Sequence, residues 1–494
     1  MRRTRSPVRA RRARTRRYDE VRGCYVYDVS FKTRAPLTER TIEVAEAFGL
    51  GVDEEKEHVI YRDFELRLAE GDIVYITGDS GSGKSVLLRA LEEDLGEEAV
   101  NIADVSIETN KPIIDTVGAT FREALTLLSK AGLNDAFLFL RNYGQLSDGQ
   151  RYRYKIAQMI DSGKKYWLAD EFCSTLDRTT AKIVAYNIQK LARRSGATLA
   201  VATTHTDLEE DLNPSILIRK GWGEEIQVDY RPNQEASECS VSRNITIREG
   251  SKEDYKKLAY LHYRDSRVPV PLKFFAMERL DELVGVIAYS YPPIITGGRK
   301  QAVGYRPTVE ELNRDWSIIS RVIVHPKYRT TGLGHRLVKE TLPLCDRRHV
   351  ELTAVMAQYN PFAEHAGMKR ILEKQPDASV LDAVERLRGL GFNPVMLASE
   401  FYSLRYLGEL ALEKVDEVRL ILLDVGGHYY KRLMSSARPY VSKAEFRIWL
   451  HEQPRERFAR CLSILSVLSE TKVYLYWCRD WLSADIRKNS EVGT

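Results

Sequence analysis

The chain has 494 residues, of which 43% are hydrophobic and 29% charged, as in an ordinary folded protein of two to four domains at about 150 residues each. Lysine and arginine number 75 against 70 aspartate and glutamate, so the net charge is only +5. The sequence has no run of about 18 apolar residues and no apolar N-terminal stretch, so we expect neither a transmembrane helix nor a secretory signal.

The first 17 residues carry nine arginines and no acidic residue, whereas the rest of the chain is mildly acidic. Such a segment cannot bury apolar surface, so residues 1–17 are predicted to be a disordered basic arm. Arginines of this kind suit the phosphates of nucleic acid, which is the first candidate partner. A solvated tail and an organellar transit peptide are the alternatives.

Residues 18–228 are predicted to form one α/β domain. After a short β-rich lead-in, apolar strands alternate with helices, and three of these strands are 74–76, 166–169 and 199–202. This alternation predicts a mostly parallel sheet.

A glycine-rich turn follows the first of these strands. Residues 78–85 match the pattern G-x-x-x-x-G-K-[ST], in which backbone N–H groups and a helix start point at a phosphate. The lysine adds positive charge for the β- and γ-phosphates, and the last hydroxyl suits Mg²⁺. The predicted phosphate ligands are Gly78, Ser80, Gly81, Ser82, Gly83, Lys84 and Ser85.

Four further motifs follow in order, and with them the chain resembles the ABC ATPase family. They are a signature at 146–150, a Walker B strand at 166–171, a D-loop at 174–177 and a switch histidine, His205. The resemblance implies ATP and Mg²⁺, with Ser85 and Asp170 at the metal. It also implies that Glu171 activates the attacking water and that His205 senses the γ-phosphate.

In this family the signature binds the ATP of an opposite subunit. The resemblance therefore implies that Ser147, Gly149 and Gln150 contact a second chain's nucleotide, and it predicts an ATP-dependent head-to-tail homodimer.

Two departures from the family pattern bear on the function. Lys84 and Leu146 are only 62 residues apart, so the helical subdomain that docks on membrane domains is expected to be reduced, which favours a non-transport ATPase. No glutamine is evident at the Q-loop, where Glu108 lies near the expected place. Phe48 is a candidate platform for adenine, with a core phenylalanine as the alternative.

The polar residues 230–242 are predicted to link this domain to a second α/β domain over 243–375. There, residues 329–334 follow an apolar strand and fit [RQ]-x-x-G-x-[GA], so the segment resembles motif A of the GNAT superfamily. The resemblance implies an acetyl-CoA site in which backbone amides hold the pyrophosphate, and strand 318–324 is predicted to splay from its neighbour. The implied acetyl-CoA ligands are Val324, Arg329, Thr331, Gly332, Leu333, Gly334 and His335.

Acyl transfer needs a base for the amine proton and an acid for the CoA sulfur. Ala363 stands where many GNAT enzymes have the tyrosine acid, so Tyr359 is predicted to replace it. Glu351 or Glu278 is the predicted base. A packed tyrosine and surface carboxylates are the alternatives.

Residues 376–494 are predicted to be mainly helical and carry no recognisable motif. The chain thus resembles ABC-type ATPases fused to an acetyltransferase domain, which implies an ATP-dependent N-acyltransferase acting on nucleic acid. One alternative is a protein or small-amine acetyltransferase with a regulatory ATPase, and another is a nucleic-acid clamp with a non-catalytic GNAT fold. Six single cysteines and the absence of a membrane segment predict a cytoplasmic protein.

Overall fold

The computed structural model describes residues 11–21, 24–33, 37–50, 56–261, 268–355, 357, 360–434 and 441–480. The strands of this part of the chain form three sheets. None of its helices combines the length and the apolar character that a bilayer crossing requires.

The N-terminal sheet has three antiparallel strands in the order β1-β2-β3. Its elements are β1 (Arg11–Asp19), β2 (Cys24–Thr33), α1 (Glu39–Phe48) and β3 (Lys56–Phe64). Val29 and Tyr61 pack from this sheet into a core that is shared with the second sheet.

The predicted disordered arm is wrong for residues 11–17, which lie in β1. The physical reason is charge pairing with the folded body. Arg14 forms ion pairs with Glu93 and Asp94, and Arg17 pairs with Asp63, so acidic residues neutralise charges that the prediction left in solvent. Residues 1–10 of the predicted arm lie outside the described residues.

The second sheet has six strands in the order β5-β6-β7-β4-β8-β9, parallel except for the β8–β9 pair. This arrangement confirms the predicted α/β pattern. Its elements are β4 (Ile73–Thr77), α2 (Lys84–Leu95), β5 (Ala99–Asn101), α3 (Phe121–Lys130), α4 (Ala136–Phe139), α5 (Asp148–Asp161), β6 (Tyr166–Ala169), α6 (Arg178–Ser195), β7 (Thr198–Ala202), α7 (Glu209–Leu212), β8 (Ile216–Lys220) and β9 (Ile226–Tyr230).

Both faces of this sheet are covered. Along β4, Ile73 and Tyr75 point into one hydrophobic cluster, while Val74 and Ile76 point into another. Alternate side chains of a strand face opposite sides, so a parallel strand between two layers must be apolar throughout. The short apolar runs of the sequence are therefore central strands.

The third sheet has seven strands in the order β10-β11-β12-β13-β14-β16-β15, and only β13 and β14 are parallel. The elements of this part are β10 (Ile245–Gly250), α8 (Lys252–Leu258), β11 (Pro271–Arg279), β12 (Glu282–Ser290), α9 (Arg299–Val303), α10 (Val309–Asp315), β13 (Trp316–Val324), α11 (Leu333–Thr341), β14 (His349–Ala354), α12 (Phe362–His365), β15 (Lys369–Lys374), α13 (Ala378–Gly389), α14 (Glu400–Glu409), α15 (Leu412–Asp424), α16 (Gly427–Met434), α17 (Lys443–Glu452), α18 (Arg455–Leu468) and β16 (Lys472–Cys478).

The helices α13 to α18 are inserted between the last two strands of this sheet. β15 and β16 pair directly, although the whole helical region separates them in the chain. The helices have their own core around Val418, Leu422, Phe446 and Leu462. The predicted boundary at residue 375 is thus corrected, because β16 places the C-terminal end of the described chain inside the third sheet.

The predicted linker 230–242 is packed rather than free. Cys239 and Val241 are buried, and the Ser240 backbone N–H donates to Asp211 Oδ1 at 2.8 Å. The linker lies next to α6, whose Ile183 and Tyr186 belong to the hydrophobic core of the third sheet. The two domains therefore share packed side chains.

Candidate functional site

The glycine-rich turn of residues 78–83 joins β4 to α2. Gly78 has a φ of 137°, and a Cβ there would stand 2.0 Å from the Lys220 carbonyl oxygen. Only glycine permits so close an approach to β8. The turn leads directly into the N-terminus of α2, where free backbone N–H groups and the helix dipole favour an anion.

Two side chains of this turn fit a polyphosphate. Ser82 is 1% exposed, and its Oγ has no hydrogen-bond partner among the described residues. Lys84 Nζ lies across the turn and donates to the carbonyls of Gly78 and Asp79 at 2.8 and 2.6 Å. Burial lowers the pKa of Lys84, while the carboxylates of Asp170 and Asp79 oppose that shift. The turn thus offers an unused hydroxyl and a cation for phosphate oxygens.

The predicted metal and catalytic residues follow strands β6 and β7; β7 is the direct neighbour of β4, and β6 lies on the other side of β7. Asp170 comes directly after β6 and accepts a hydrogen bond from the Glu171 backbone N–H at 2.9 Å. The His205 carbonyl accepts from Thr77 Oγ1 at 3.2 Å, beside the phosphate-binding turn. The topology therefore brings Asp170, Glu171 and His205 to the end of the strands where α2 begins, with Ser85 in the first turn of that helix. The oxygens of Ser85 and Asp170 are of the kind that Mg²⁺ prefers.

The signature residues lie at the start of α5. Ser147 caps this helix, and its hydroxyl and the Gln150 side chain form a reciprocal capping box. A Cβ on Gly149 would stand 3.3 Å from Leu176 of the D-loop, so signature and D-loop pack together within one chain. Ser147 is exposed at the surface. Contact with a second chain's ATP stays a prediction for these residues.

Two peripheral predictions have different outcomes. Phe48 is 76% exposed at the end of α1, so the alternative of a core phenylalanine is wrong, and stacking on adenine stays a prediction. Glu108 forms an ion pair with Lys111 at 3.1 Å on the surface.

A second glycine-rich turn, residues 325–332, joins β13 to α11 through a short 3₁₀ helix, Pro326–Tyr328. We call it the acyl-CoA turn, after the ligand that the sequence predicts for it. Gly332 has a φ of 88°, and no described atom lies within 4 Å of the place where its Cβ would stand. Thr331 Oγ1 donates to the Tyr328 carbonyl at 2.7 Å and holds the turn together. The buried Leu333 then anchors the start of α11. The turn leaves room at a helix N-terminus, which suits a pyrophosphate.

The remaining predicted acetyl-CoA ligands surround this turn. A Cβ on Gly334 would come within 3.9 Å of Val324 Cγ2. Arg329 Nε donates to the Val324 carbonyl at 2.9 Å, so this side chain supports the turn rather than pointing into it. Burial lowers the pKa of His335, and the cation of Lys339 adds to the effect. His335 is therefore neutral near pH 7.

The predicted splay of the central strands is confirmed. β13 and β14 pair only from Trp316 to Ile318, and the rest of β13 is unpaired on that side. On its other side β13 has a bulge at Ser320, between the pairs of Ile319 and Arg321 with β12. Bulges re-aim side chains and often lie beside active sites. The opening between β13 and β14 begins at this bulge and suits a pantetheine arm.

The structure places Glu351 differently from its predicted role as a base. The residue is 0% exposed, and its two carboxylate oxygens lie 2.7 and 2.8 Å from the guanidinium nitrogens of Arg299. The Tyr474 hydroxyl donates to the same carboxylate at 2.9 Å. A buried carboxylate whose two oxygens are engaged in a bidentate ion pair has no free lone pair to take the amine proton of an acyl acceptor. We therefore withdraw Glu351 as the base.

The other acid and base predictions also change. Glu278 accepts a hydrogen bond from Arg248 and is occupied as well. Ala363 is 1% exposed, so a small buried side chain does stand at the usual tyrosine position. Tyr359 lies outside the described residues, and its role as the acid stays a prediction.

Sequence reasoning predicts that the loop 290–315 lines the acceptor site, but it missed the contacts that hold this loop in place. Arg299 anchors the segment before α9, because its guanidinium also donates to the carbonyls of Pro293 and Ile294. Ile295 of this segment is 91% exposed. The Gly-Gly-Arg run at 297–299 is the only local signal, and it does not reveal that the partner, Glu351, comes from β14.

Comparison with known proteins supports both halves of the chain. Residues 241–367 match the Acetyltransferase (GNAT) family. The methionine import ATP-binding protein MetN of Latilactobacillus sakei is 24% identical over 289 residues, which cover 49% of this chain and 83% of MetN.

Two further relatives are matched over less of their length. The macrolide export ATP-binding/permease protein MacB of Neisseria meningitidis is 30% identical over 40% of this chain and 35% of its own. The ribosome protection protein VmlR of Bacillus subtilis is 27% identical over 32% of this chain and 28% of its own. The chain thus spans about a third of these two relatives.

Among solved structures, a dimeric ATP-binding cassette in a post-hydrolysis state with ADP and Pi is 21% identical, over 36% of this chain and 94% of that chain, with a TM-score of 0.31. The family match and the curated relatives agree with the motifs of the two glycine-rich turns. The chain therefore joins a part related to ABC-type ATPases to a domain of the GNAT acetyltransferase family.

Proposed function

We propose that the chain hydrolyses ATP and uses acetyl-CoA to acylate an amine, with nucleic acid as the first acceptor to test. The observation that supports this proposal is that one chain has two turns suited to phosphate binding, 78–83 and 325–332, each between a strand and a helix. Asp170, Glu171 and His205 lie beside the first turn, and the splay of β13 and β14 opens beside the second.

In the ATPase half, Lys84 and the backbone of the turn would hold the phosphates while Ser85 and Asp170 hold Mg²⁺. Glu171 would take the proton of the attacking water. ATP binding by two chains, each facing the other's signature, is the predicted basis of a homodimer. The exposed Ser147 and the partly exposed Gly149 at the start of α5 support it.

In the transferase half, the acceptor nitrogen would attack the thioester carbon. A C–N bond forms, the C–S bond breaks, the amine proton goes to a base, and the CoA thiolate takes up a proton. The bulge at Ser320 lies where the strands separate, and Ser320 Oγ is 2.8 Å from Ser290 Oγ. Ser290 is buried, whereas Ser320 is partly exposed, so the Ser320 hydroxyl offers a polar contact to an acceptor at the opening.

Two features support nucleic acid as the acceptor: the arginine-rich N-terminus and the sequence features that favour a non-transport ATPase. VmlR is named as a ribosome protection protein, so at least one relative has a name unrelated to transport. Against nucleic acid, Arg14 and Arg17 are paired with carboxylates of the same chain, so these two charges are not available to phosphates. That pairing favours the second candidate, a protein or small-amine acetyltransferase with a regulatory ATPase.

The test is ATP hydrolysis by the purified protein with and without DNA or RNA, compared with Glu171→Gln. We expect the substitution to lower kcat by about 100-fold or more, because the water loses its proton acceptor. Stimulation by nucleic acid that is lost when Arg2, Arg3, Arg5 and Arg9 are replaced by glutamine would support the first acceptor. These substitutions leave β1 intact.

ATP turnover that no nucleic acid changes would exclude that acceptor, and acetyl-CoA hydrolysis or transfer to amines would then support the second candidate. Absence of acetyl-CoA binding would leave a clamp with a non-catalytic GNAT fold. Loss of turnover on chelating Mg²⁺ checks the metal.

A further inference from the structure

The acyl-CoA turn lies directly against the ATPase domain. Lys327 Nζ is 3.1 Å from Asp177 Oδ1 in the D-loop. Asn187 Nδ2 of α6 donates to Thr330 Oγ1 at 2.8 Å. Arg329, the first residue of the motif that implies acetyl-CoA binding, donates to the backbone carbonyl of Asn134. Three contacts thus join the acyl-CoA turn to the ATPase domain, which carries the glycine-rich turn 78–83.

Two of these contacts, those of Asn187 and Asn134, are built into the interior, whereas the Lys327–Asp177 ion pair is partly exposed. Asn187 is 1% exposed and Asn134 is 8% exposed. Beside them, Ile183 and Tyr186 of α6 pack into the hydrophobic core of the transferase domain. A buried hydrogen bond is costly to break, because the groups left behind are not solvated. The turn therefore cannot change its conformation independently of α6.

On the ATPase side, Asp177 has two roles. Its carboxylate caps α6 through the Thr180 backbone N–H and accepts from Thr180 Oγ1 at 2.6 Å. Burial raises the pKa of Asp177, but the hydrogen bonds from Thr180 and Lys327 outweigh it and the net pKa is low. The neighbouring Leu176 contacts Gly149 of the signature. A shift of the D-loop would thus change its contacts with both the signature and Lys327.

On the transferase side, the turn holds an unfavourable backbone conformation. Thr330 has a φ of 69°, which is rare and strained for a β-branched residue. The Asn187 hydrogen bond goes to this residue. The conformation of the turn therefore depends on a side chain that the ATPase domain supplies.

We propose that Asp177, Asn187 and Asn134 are positioning residues for the acyl-CoA turn, so that ATP binding and acyl-CoA binding are energetically coupled within one chain. This inference rests on the proposed function and adds its regulation. Coupling of two binding equilibria is reciprocal, so acetyl-CoA must change the affinity for ATP by the same factor.

The experiment measures the Kd of acetyl-CoA by titration calorimetry with and without Mg²⁺-ATP, in a Glu171→Gln background that slows hydrolysis. We expect the two Kd values to differ by at least about fivefold. Lys327→Met and Asn187→Ala should bring the ratio to within about twofold of unity, because each removes one of the connecting contacts. Lys327→Arg should keep the ratio, since it preserves the cation. Lys339→Met, at an exposed position of α11, is the matched control.

The outcomes separate this inference from the proposed function. If acetyl-CoA and ATP both bind but the ratio is unity in the parent protein, or is unchanged in Lys327→Met and Asn187→Ala, the coupling is refuted and the proposed function stands. If acetyl-CoA does not bind at all, both are refuted. Lys327 is partly exposed, so Lys327→Met should fold even where Asn187→Ala does not.

Discussion

His349 shows how burial changes a single side chain at the start of β14. The residue is 9% exposed, its Nδ1 lies 2.7 Å from the Tyr476 hydroxyl, and its ring packs on Trp316 with a centroid distance of 4.6 Å. Burial lowers the pKa of His349, and the nearby cation of Arg348 adds to that shift. The folded chain therefore holds this imidazole neutral.

The sign of the pH dependence follows from the lowered pKa. The unfolded chain takes up a proton on His349 at about pH 6.5, before the folded chain does, so stability is lost as the pH falls below that value. We expect the difference in Tm between about pH 8 and about pH 5.5 to be smaller in His349→Gln than in the parent chain. Thermal unfolding measures it. The control is His451→Gln at an exposed position, which should keep the Tm difference of the parent chain. If His349→Gln also kept that difference, His349 would not be the source of the pH dependence.

Among the secondary-structure elements, the short strand β16 joins two other strands of the third sheet. It pairs along one edge with β14, from His349↔Cys478 to Ala354↔Val473, and along the other with β15. β15 lies at the sheet edge, so β16 is its only partner strand in the described sheet. One short strand from the end of the described chain therefore closes the transferase core.

A chain that ends at Thr471 should lose the fold of the transferase domain. β14 would become an edge strand, and the buried side chains Val473, Leu475 and Trp477 would be missing from the core. Limited proteolysis should then cleave within residues 245–374, which the parent chain protects. A chain that ends at Asp480 keeps β16 and serves as the control. Equal protection of both chains would show that β16 is dispensable.

At the scale of the whole molecule, α6 belongs to two cores. Ala181, Val184 and Ile188 pack in the core of the ATPase domain, whereas Ile183 and Tyr186 pack in that of the transferase domain. Because α6 is buried on two opposite faces, loss of one core would also remove packing contacts from the other core. The two domains should therefore unfold together rather than independently.

Ile183→Ala tests this connection. The substitution removes buried methyl groups on the transferase side of α6 and should cost about 2–5 kcal/mol. Differential scanning calorimetry should show one transition in the parent chain and two separated transitions in the variant. Leu128→Ala, deep in the ATPase core alone, is the control that should lower stability without separating them. Two transitions already present in the parent chain would contradict a shared core.

Local sequence patterns are sufficient to predict the two turns that suit a phosphate. A strand, a glycine-rich turn and a helix are adjacent in sequence, so the residues 78–85 and 329–334 suffice to predict them, and the splay after Ile318 follows from the resemblance. The hairpin of β11 and β12 is local in the same sense. Interactions between neighbours in sequence decide these features.

Only the tertiary structure decides how distant segments meet. The arginines of β1 find acidic partners, Glu351 is paired with Arg299, and β16 returns to the sheet after six helices. No local pattern encodes these contacts, because each partner is chosen by topology and burial rather than by sequence spacing. For the same physical reason, the contact of Lys327 with Asp177 became visible only once α6 was seen between the two cores.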